Sequence, residues 1–266
     1  MPNPSHTREW DATAYHRLSG PQVSWGKKVL AGLELRGDEF LMDAGCGSGR
    51  LTAELLQSLP QGRVVGVDLS QNMLVTARDH LRHQFCARVQ FVAADLQALP
   101  FERAFDGIFS TAAFHWVPDH LRLFRSLFRA LRPGGWLRAQ CGGGPNLARL
   151  RDRMNALAAA PKYAQFFAHF RDPWVYNDAE TAAGLLQRAG FVDGETSLEP
   201  ALTVLHNTES YSEFVRAVIA RRHLEEIPDP ALRTEFVVEL ARRAALDDPP
   251  FSLDYWRLNL SLRVPE

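Results

Sequence analysis

Short apolar runs alternate with helical patterns between residues 38 and 145. Five of these runs have the length of buried strands, at 40–44, 63–68, 88–95, 105–110 and 136–141. Between them, apolar residues recur at three- and four-residue intervals, as they do along one face of a helix. This alternation predicts a doubly wound α/β fold, with a mostly parallel sheet and right-handed crossovers.

Residues 146–266 have a mostly helical pattern. The predicted helices lie at 146–160, at 161–170, between Asp178 and Gly190, from a capping box at Ser210 to about Leu224, and from Asp229–Pro230 onward. Alternation at 200–206 and 253–264 predicts two strands that can pair antiparallel at one sheet edge. We therefore expect one compact domain with an N-terminal helical lid segment (1–37), an α/β core (38–145), and a helical cap with the last strands (146–266).

Composition and charge indicate a globular protein without a polyanionic partner. Hydrophobic residues make up 46% of the 266 residues, and the net charge of −1 gives no overall field that would attract nucleic acid or an anionic membrane. Three cysteines without metal-like spacing suggest reduced thiols, and no apolar run approaches the roughly 18 residues of a membrane span. We expect a cytoplasmic protein, monomeric or homodimeric, that binds neither nucleic acid nor membranes.

The stretch LMDAGCGSGRLTAELL (41–56) places Gly45, Gly47 and Gly49 between the first predicted strand and the first predicted helix. Glycine is required where φ is positive or where a ligand touches the backbone, and the N-terminus of the following helix attracts anions. The spacing G-x-G-x-G departs from the G-x-G-x-x-G of a nicotinamide site. On this stretch alone, both a tight structural turn and a ligand-binding loop remain open.

Acidic residues mark the ends of three consecutive predicted strands, at Asp43, Asp68 and Asp95. Carboxyl ends of parallel strands meet at one edge of a sheet, where open α/β sheets bind ligands. Asp68 is placed to bind the two hydroxyl groups of a ribose, although it could instead cap the helix near Ser70, and Asp95 could begin a turn. Three acids in register at the glycine-rich edge favour a nucleoside site.

Five stretches resemble, in order and spacing, the successive motifs of class I S-adenosylmethionine-dependent methyltransferases: DAGCGSG, VVGVDLS, AADLQALPF, FDGIFSTAAFHWVPD and LRPGG. The resemblance covers about residues 38–145 and implies a seven-stranded Rossmann-like fold with S-adenosylmethionine as cofactor. The loop would then hold a methionine carboxylate and a nucleoside instead of a pyrophosphate. The resemblance implies that the cofactor contacts Asp43, Gly45, Gly47, Gly49, Asp68, Leu69, Ala94, Asp95 and Leu96.

The remaining chain resembles the trans-aconitate methyltransferase-like branch, in FHWVPDH after the fourth strand, in AGF at 189–191, and in a helical insertion between the last two strands. This similarity suggests a small-molecule methyl acceptor with a carboxylate. Two alternatives stay open: a natural-product O-, C- or N-methyltransferase with His115 as base, and a cofactor-binding homologue without methyl transfer, such as a cyclase or pseudoenzyme. A nicotinamide dehydrogenase is disfavoured by the glycine spacing.

Methyl transfer from a sulfonium needs alignment of the reacting atoms, exclusion of water, and aromatic faces near the cation. Candidate aromatic side chains are Tyr15 beside the cofactor, and Trp10, Phe114 and Trp116 beside the acceptor. His115 is the candidate base, since its neutral form is populated near pH 7. A carboxylate acceptor would need no base, and a purely structural role for His115 is equally open.

An anionic acceptor would also need cations, and the cap offers Arg149, Arg153, Arg216 and Arg221, of which Arg149 is the named candidate. The cap aromatics are expected in the core: Trp174, Tyr176, Tyr211 and Trp256. The sequence shows no set of oxygen ligands for magnesium, and we expect no metal.

Overall fold

A seven-stranded sheet forms the centre of the computed structural model, which describes residues 9–10, 17, 19–85 and 87–266. Within the described residues the strands are β1 (Phe40–Ala44), β2 (Arg63–Asp68), β3 (Val89–Ala93), β4 (Phe105–Thr111), β5 (Leu131–Gly142), β6 (Val192–Pro200), β7 (Thr203–Val204), β8 (Ser252–Leu253) and β9 (Trp256–Arg263). The order in the large sheet is β3-β2-β1-β4-β5-β9-β6, and β7 pairs with β8 separately. The first five strands run parallel, whereas β9 is antiparallel to β5 and β6. The predicted doubly wound fold is confirmed.

Helices cover both faces of this sheet and form the cap. The α-helices are α1 (Gly20–Ala31), α2 (Arg50–Gln57), α3 (Gln71–Phe85), α4 (His120–Ala130), α5 (Ala148–Ala158), α6 (Ala164–Phe167), α7 (Ala179–Ala189), α8 (Thr208–Phe214), α9 (Arg221–Glu226) and α10 (Pro230–Ala244). Short 3-10 turns lie at Leu96–Ala98 and Phe114–Trp116, and a π-helical segment lies at Val215–Ile219. Among the described residues, no helix has the length and apolarity to cross a membrane.

Apolar side chains on the two faces of each central strand enter different cores. Leu41 packs with α2 and α3 on one face, whereas Met42 packs with α4 and α7 on the other. Burial of both faces explains why the central strands are continuous apolar runs. A third cluster fills the cap between α5, α8 and α10, and Trp25 of α1 and Trp116 pack against it. These two tryptophans connect the cap to the α/β core.

The sheet edge differs from the prediction. β6 occupies it at Val192–Pro200, and the predicted strand at 200–206 is wrong except for the two residues of β7. Most side chains of β6 are exposed, so its sequence VDGETSLEP carries no apolar run that would identify a strand. The prediction of an antiparallel edge is confirmed, with β9 as the inner strand of the pair.

Helix starts follow the capping side chains. The predicted caps Asp178 and Asp229 accept backbone N–H groups at the starts of α7 and α10. The cap predicted at Ser210 is wrong, because Asn207 caps α8 and Ser210 is the third helical residue, with reciprocal hydrogen bonds of 2.9 and 3.1 Å between them. The helix predicted at 161–170 is reduced to the single turn α6. The division into lid, core and cap stays a prediction.

Candidate functional site

A cavity of about 510 Å³ lies at the carboxyl ends of the parallel strands, beside the switch point between β1 and β4 where the strand order reverses. Its lining combines residues at the strand ends with residues of the cap. The lining includes Trp10, Gln22, Gly45, Gly47, Asp68, Leu69, Ala94, Asp95, Leu96, His115, Trp116, Asn146, Trp174, Tyr176, Val218, Ile219, Tyr255 and Arg257. The fold therefore brings most of the predicted site residues to one place.

The three glycines of the loop after β1 all have positive φ, at +80°, +52° and +79°. Gly45 and Gly47 line the cavity, and a Cβ on Gly47 would meet no atom within 4 Å, so this backbone faces open space. Gly49 instead precedes α2, where a Cβ would lie 3.1 Å from the Cβ of Ala77 on α3. The structure thus gives Gly49 a packing role against α3, and its contact with the cofactor stays a prediction.

Asp68 at the end of β2 connects the glycine loop to the start of α3. One carboxylate oxygen accepts the N–H of Gly47 and the other accepts the N–H of Ser70, both at 2.9 Å. Burial raises the pKa of Asp68, and these N–H groups act in the opposite direction. The N–H of Leu69 also acts on this carboxylate. An ionised carboxylate has about four acceptor positions, so it can still accept a hydrogen bond from a ligand hydroxyl. The group fits a pair of vicinal hydroxyls.

Residues after β3 form the next part of the wall. The backbone of Ala94 lies here, and the side chain of Asp95 accepts the N–H of Gln97 at 2.9 Å, so the predicted turn role coexists with a place at the cavity. Leu69 and Leu96 also line it. Apolar side chains beside a carboxylate fit a purine ring that carries an amino group.

Asp43 lies in a side cavity of about 50 Å³, which it shares with Ser19, Gln22, Gly45 and Gly47. Burial raises its pKa from 3.8 to about 7, while the hydroxyl of Thr52 donates a hydrogen bond of 2.5 Å that lowers it. In the described part of the chain, the buried Oε1 of Gln22 accepts no hydrogen bond. A carboxylate and an amide oxygen at one small cavity fit the ammonium of an amino acid, and sequence analysis missed Gln22 because α1 lies outside the motif region.

His115 lies at the cavity in the 3-10 turn after β4, with a buried ring. The N–H of Gly142 donates to Nδ1 at 3.3 Å, and the His115 carbonyl accepts the N–H of Val175 at 2.9 Å. Because Nδ1 accepts a backbone N–H, the neutral imidazole holds its proton on Nε2. This ring is arranged as a hydrogen-bond donor through Nε2.

Aromatic side chains form the outer wall. The ring of Trp116 lies 5.2 Å from Trp10 and 5.7 Å from Trp174, and Trp174 stacks with Tyr176 at 6.0 Å. Trp10 is positioned by the neighbouring Glu9, whose carboxylate accepts N–H groups at the start of α3. Trp10 and Trp116 line the cavity, and their contact with the acceptor stays a prediction. Trp174 belongs to the cap core, as expected, and Tyr176 packs against that core, but both also line the cavity.

Three other aromatic candidates have different outcomes. Phe114 is 1% exposed and packs against Phe124 at 6.2 Å, because the 3-10 turn directs it into the core, away from the cavity. The prediction that Phe114 contacts the acceptor is not supported. Tyr211 lies in the cap core, as expected. Tyr15 lies outside the described residues.

The arginine at the cavity is not one of the predicted cap arginines. Arg149 donates to the carbonyl and hydroxyl oxygens of Ser252 and pairs with Asp247, so its predicted acceptor contact is not supported. Arg153 also pairs with Asp247. Arg257 of β9 lines the cavity instead, with 3% of its surface exposed. In the sequence it occupies a polar position of an alternating strand, which predicts exposure to solvent.

Comparisons with known proteins concern the family and the fold. Residues 41–135 match the family model described as a methyltransferase domain. The chain is 39% identical over 131 residues to a trans-aconitate 2-methyltransferase of Azoarcus sp. (strain BH72), which covers 49% of this chain, so that the match spans half the length of that relative. It is 31% identical over 253 residues to another, of Methylobacterium radiotolerans, with 92% of each chain covered.

A solved structure shares the fold. Phosphoethanolamine N-methyltransferase 2 of Haemonchus contortus, in complex with S-adenosylhomocysteine, superposes with a TM-score of 0.61 at 18% identity. The superposition covers 96% of this chain and 57% of that one.

The raised pKa of Asp43 predicts a pH-dependent cost to stability. The folded-state pKa of Asp43 is about 7, and its unfolded value is near 3.8. Between these two pH values the folded state binds more protons than the unfolded state. The free energy of unfolding therefore falls as the pH rises from about 4 to about 7. Replacing Asp43 with Asn removes this cost, which is roughly 4 kcal/mol above pH 7. We expect denaturation at pH 8, without cofactor, to show Asp43→Asn as the more stable protein.

At pH 4 the two proteins should unfold alike. Asp79→Asn, at an exposed position of α3, is the control and should match the wild type at both pH values. If the free energy of unfolding depends on pH equally in the wild type and in Asp43→Asn, the raised pKa of Asp43 is contradicted.

Proposed function

Because this chain belongs to the class I S-adenosylmethionine-dependent methyltransferases, we propose that it methylates a carboxylate oxygen of a small organic acid. The observation that carries the proposal is the relative of 31% identity over nearly the whole chain, which is named trans-aconitate 2-methyltransferase. The arrangement of His115 and Arg257 at the cavity supports the same acceptor chemistry.

The cofactor end of the cavity is acidic, which suits a cation. Asp68 would bind the ribose hydroxyls, Asp43 and Gln22 the methionine ammonium, and Asp95 the adenine amino group. When bound, S-adenosylmethionine supplies a methyl group on a positively charged sulfur; the new C–O bond forms as the C–S bond breaks, and the electron pair stays on sulfur. The ring faces of Trp10 and Trp116 suit this sulfonium and exclude water.

The acceptor end offers hydrogen-bond donors and a cation. The Tyr176 hydroxyl is protonated at neutral pH, since the ordinary pKa of tyrosine is about 10 and burial raises the pKa of Tyr176 further. The neutral His115 ring holds its proton on Nε2, because Gly142 donates to Nδ1. A carboxylate is already ionised near pH 7 and has no proton to lose. The geometry therefore favours an acid over a phenol, enol or amine, each of which would need a base.

Release of S-adenosylhomocysteine from the purified protein tests the reaction. The panel should contain trans-aconitate, other di- and tricarboxylic acids, aromatic acids, and phenols and amines of matched size. We expect turnover with an acid and a methyl ester as product. Turnover with phenols or amines alone would contradict the proposal, and binding of S-adenosylmethionine without any transfer would favour a non-methylating homologue.

Asp68→Asn tests the cofactor site. Loss of the charged acceptor for the ribose hydroxyls should weaken S-adenosylmethionine binding about 10- to 100-fold, the range for hydrogen bonds to charged groups. Isothermal titration calorimetry measures the dissociation constant, with Asp79→Asn as the control on the helix that follows Asp68. An unchanged dissociation constant in folded Asp68→Asn would refute the role of Asp68.

A further inference from the structure

The cavity is polarised, with acids at one end and an arginine at the other. Asp68 and Asp95 line the cofactor end, and Arg257 is the one arginine or lysine among the lining residues that the structure describes. We infer that Arg257 binds the acid group of the methyl acceptor, and so selects acids over neutral molecules of the same shape. This inference rests on the proposed function and names the residue that sets its substrate class.

The strand register places Arg257 beside the candidate catalytic histidine. Arg257 pairs with Gly142 in the antiparallel ladder of β9 and β5, and the N–H of Gly142 donates to Nδ1 of His115. Opposite residues of an antiparallel pair have Cα atoms about 4.5–5.5 Å apart. The guanidinium and the imidazole thus belong to one wall, supported by the same residue at the carboxyl end of β5.

Aromatic rings hold the guanidinium in place. Its central carbon lies 4.6 Å from the ring centre of Trp25 and 5.8 Å from that of Tyr255, and these two rings contact each other edge to face at 4.9 Å. A guanidinium that lies over aromatic rings can still present N–H groups in its plane to a carboxylate. The contacts that orient Arg257 are therefore compatible with a bidentate carboxylate.

Burial gives this arginine a strong effect on an anion. Only 3% of Arg257 is exposed, and the attraction between charges increases as water is excluded. Arg149 and Arg153 share Asp247 as a counter-ion. Arg221 pairs with Glu225, and Arg216 is exposed. None of these four arginines lines the cavity. Among the arginines considered, Arg257 combines a place at the cavity with burial.

The same contact fixes the orientation of the acceptor. A hydrogen bond to the attacking oxygen would withdraw charge from it, so the productive arrangement places the guanidinium on oxygens that do not attack. The guanidinium can bind the second oxygen of the same carboxylate, or a second carboxylate of a polyacid. The role of Arg257 is then mainly in binding, and its loss should raise KM more than it lowers kcat.

Three variants test the inference. Arg257→Met keeps an unbranched apolar stem against Trp25, Arg257→Lys keeps the charge, and Arg216→Gln removes an exposed cap arginine next to the cavity-lining Val218. The acceptor is trans-aconitate, or whichever acid of the panel the wild type methylates fastest, with saturating S-adenosylmethionine. We expect Arg257→Met to lower kcat/KM about 10- to 100-fold, Arg257→Lys to recover part of the loss, and Arg216→Gln to match the wild type.

The dissociation constant for S-adenosylmethionine separates an acceptor effect from general damage, and we expect it to stay within about twofold in Arg257→Met. If Arg257→Met keeps wild-type kcat/KM for the acid, the inference is wrong while the proposed function stands. If the wild type methylates neutral molecules and no acid, both are wrong.

A wild-type measurement covers the case in which Arg257→Met fails to fold. The acid that the wild type methylates fastest and its neutral primary amide, which has nearly the same shape, are titrated into the complex with S-adenosylhomocysteine. The acid should bind at least about tenfold more tightly, because only the acid can pair with the guanidinium. Equal affinities would overturn the inference.

Discussion

The carboxylate of Asp68 is the constraint on which the site depends. By accepting N–H groups from Gly47 and Ser70, it holds the glycine loop after β1 against the start of α3, at the point where the strand order reverses. Positive φ at the loop glycines allows this close approach, and Gly47 leaves the adjoining space open. Burial of the charge makes the two hydrogen bonds necessary, because a buried carboxylate without donors would destabilise the fold. The same group remains available to a ribose.

The acidic end of the cavity is built from the ends of single strands, whereas the basic end depends on tertiary packing. The acidic end is local, since Asp43, Asp68 and Asp95 each end or follow a parallel strand. The basic end requires the antiparallel strand β9 beside β5, the helix α1 that brings Trp25 onto Arg257, and the cap that brings Trp174 and Tyr176. A cationic cofactor would then face the acidic end of the cavity, and an anionic acceptor would face the arginine. These opposite charges assist the alignment of the acceptor oxygen with the methyl group.

The sequence predicts what short-range patterns determine. β1 and β2 have the predicted bounds, and of the three acids at or near strand ends Asp68 and Asp95 line the cavity while Asp43 lies in the side cavity, because apolar runs and their final residues can be identified locally. The edge strand β6 was missed because exposed polar residues give no apolar period. Arg257 was missed because an alternating strand predicts a solvent-facing polar side chain, whereas in the structure it is buried against Trp25 of α1 and Tyr255. Phe114 and Trp116 lie in the same 3-10 turn, which directs Phe114 into the core and Trp116 to the cavity.

A carboxylate acceptor is tested most directly by the pH dependence of the chemical step. Single-turnover methyl transfer to the best acid would be measured at saturating S-adenosylmethionine, so that titration of Asp43 during cofactor binding does not contribute. With no proton to remove, the rate should show no limb near the ordinary histidine pKa of about 6.5, and His115→Gln should keep the shape of the profile. A limb near that pH that disappears in His115→Gln would contradict a base-free transfer and make His115 the general base.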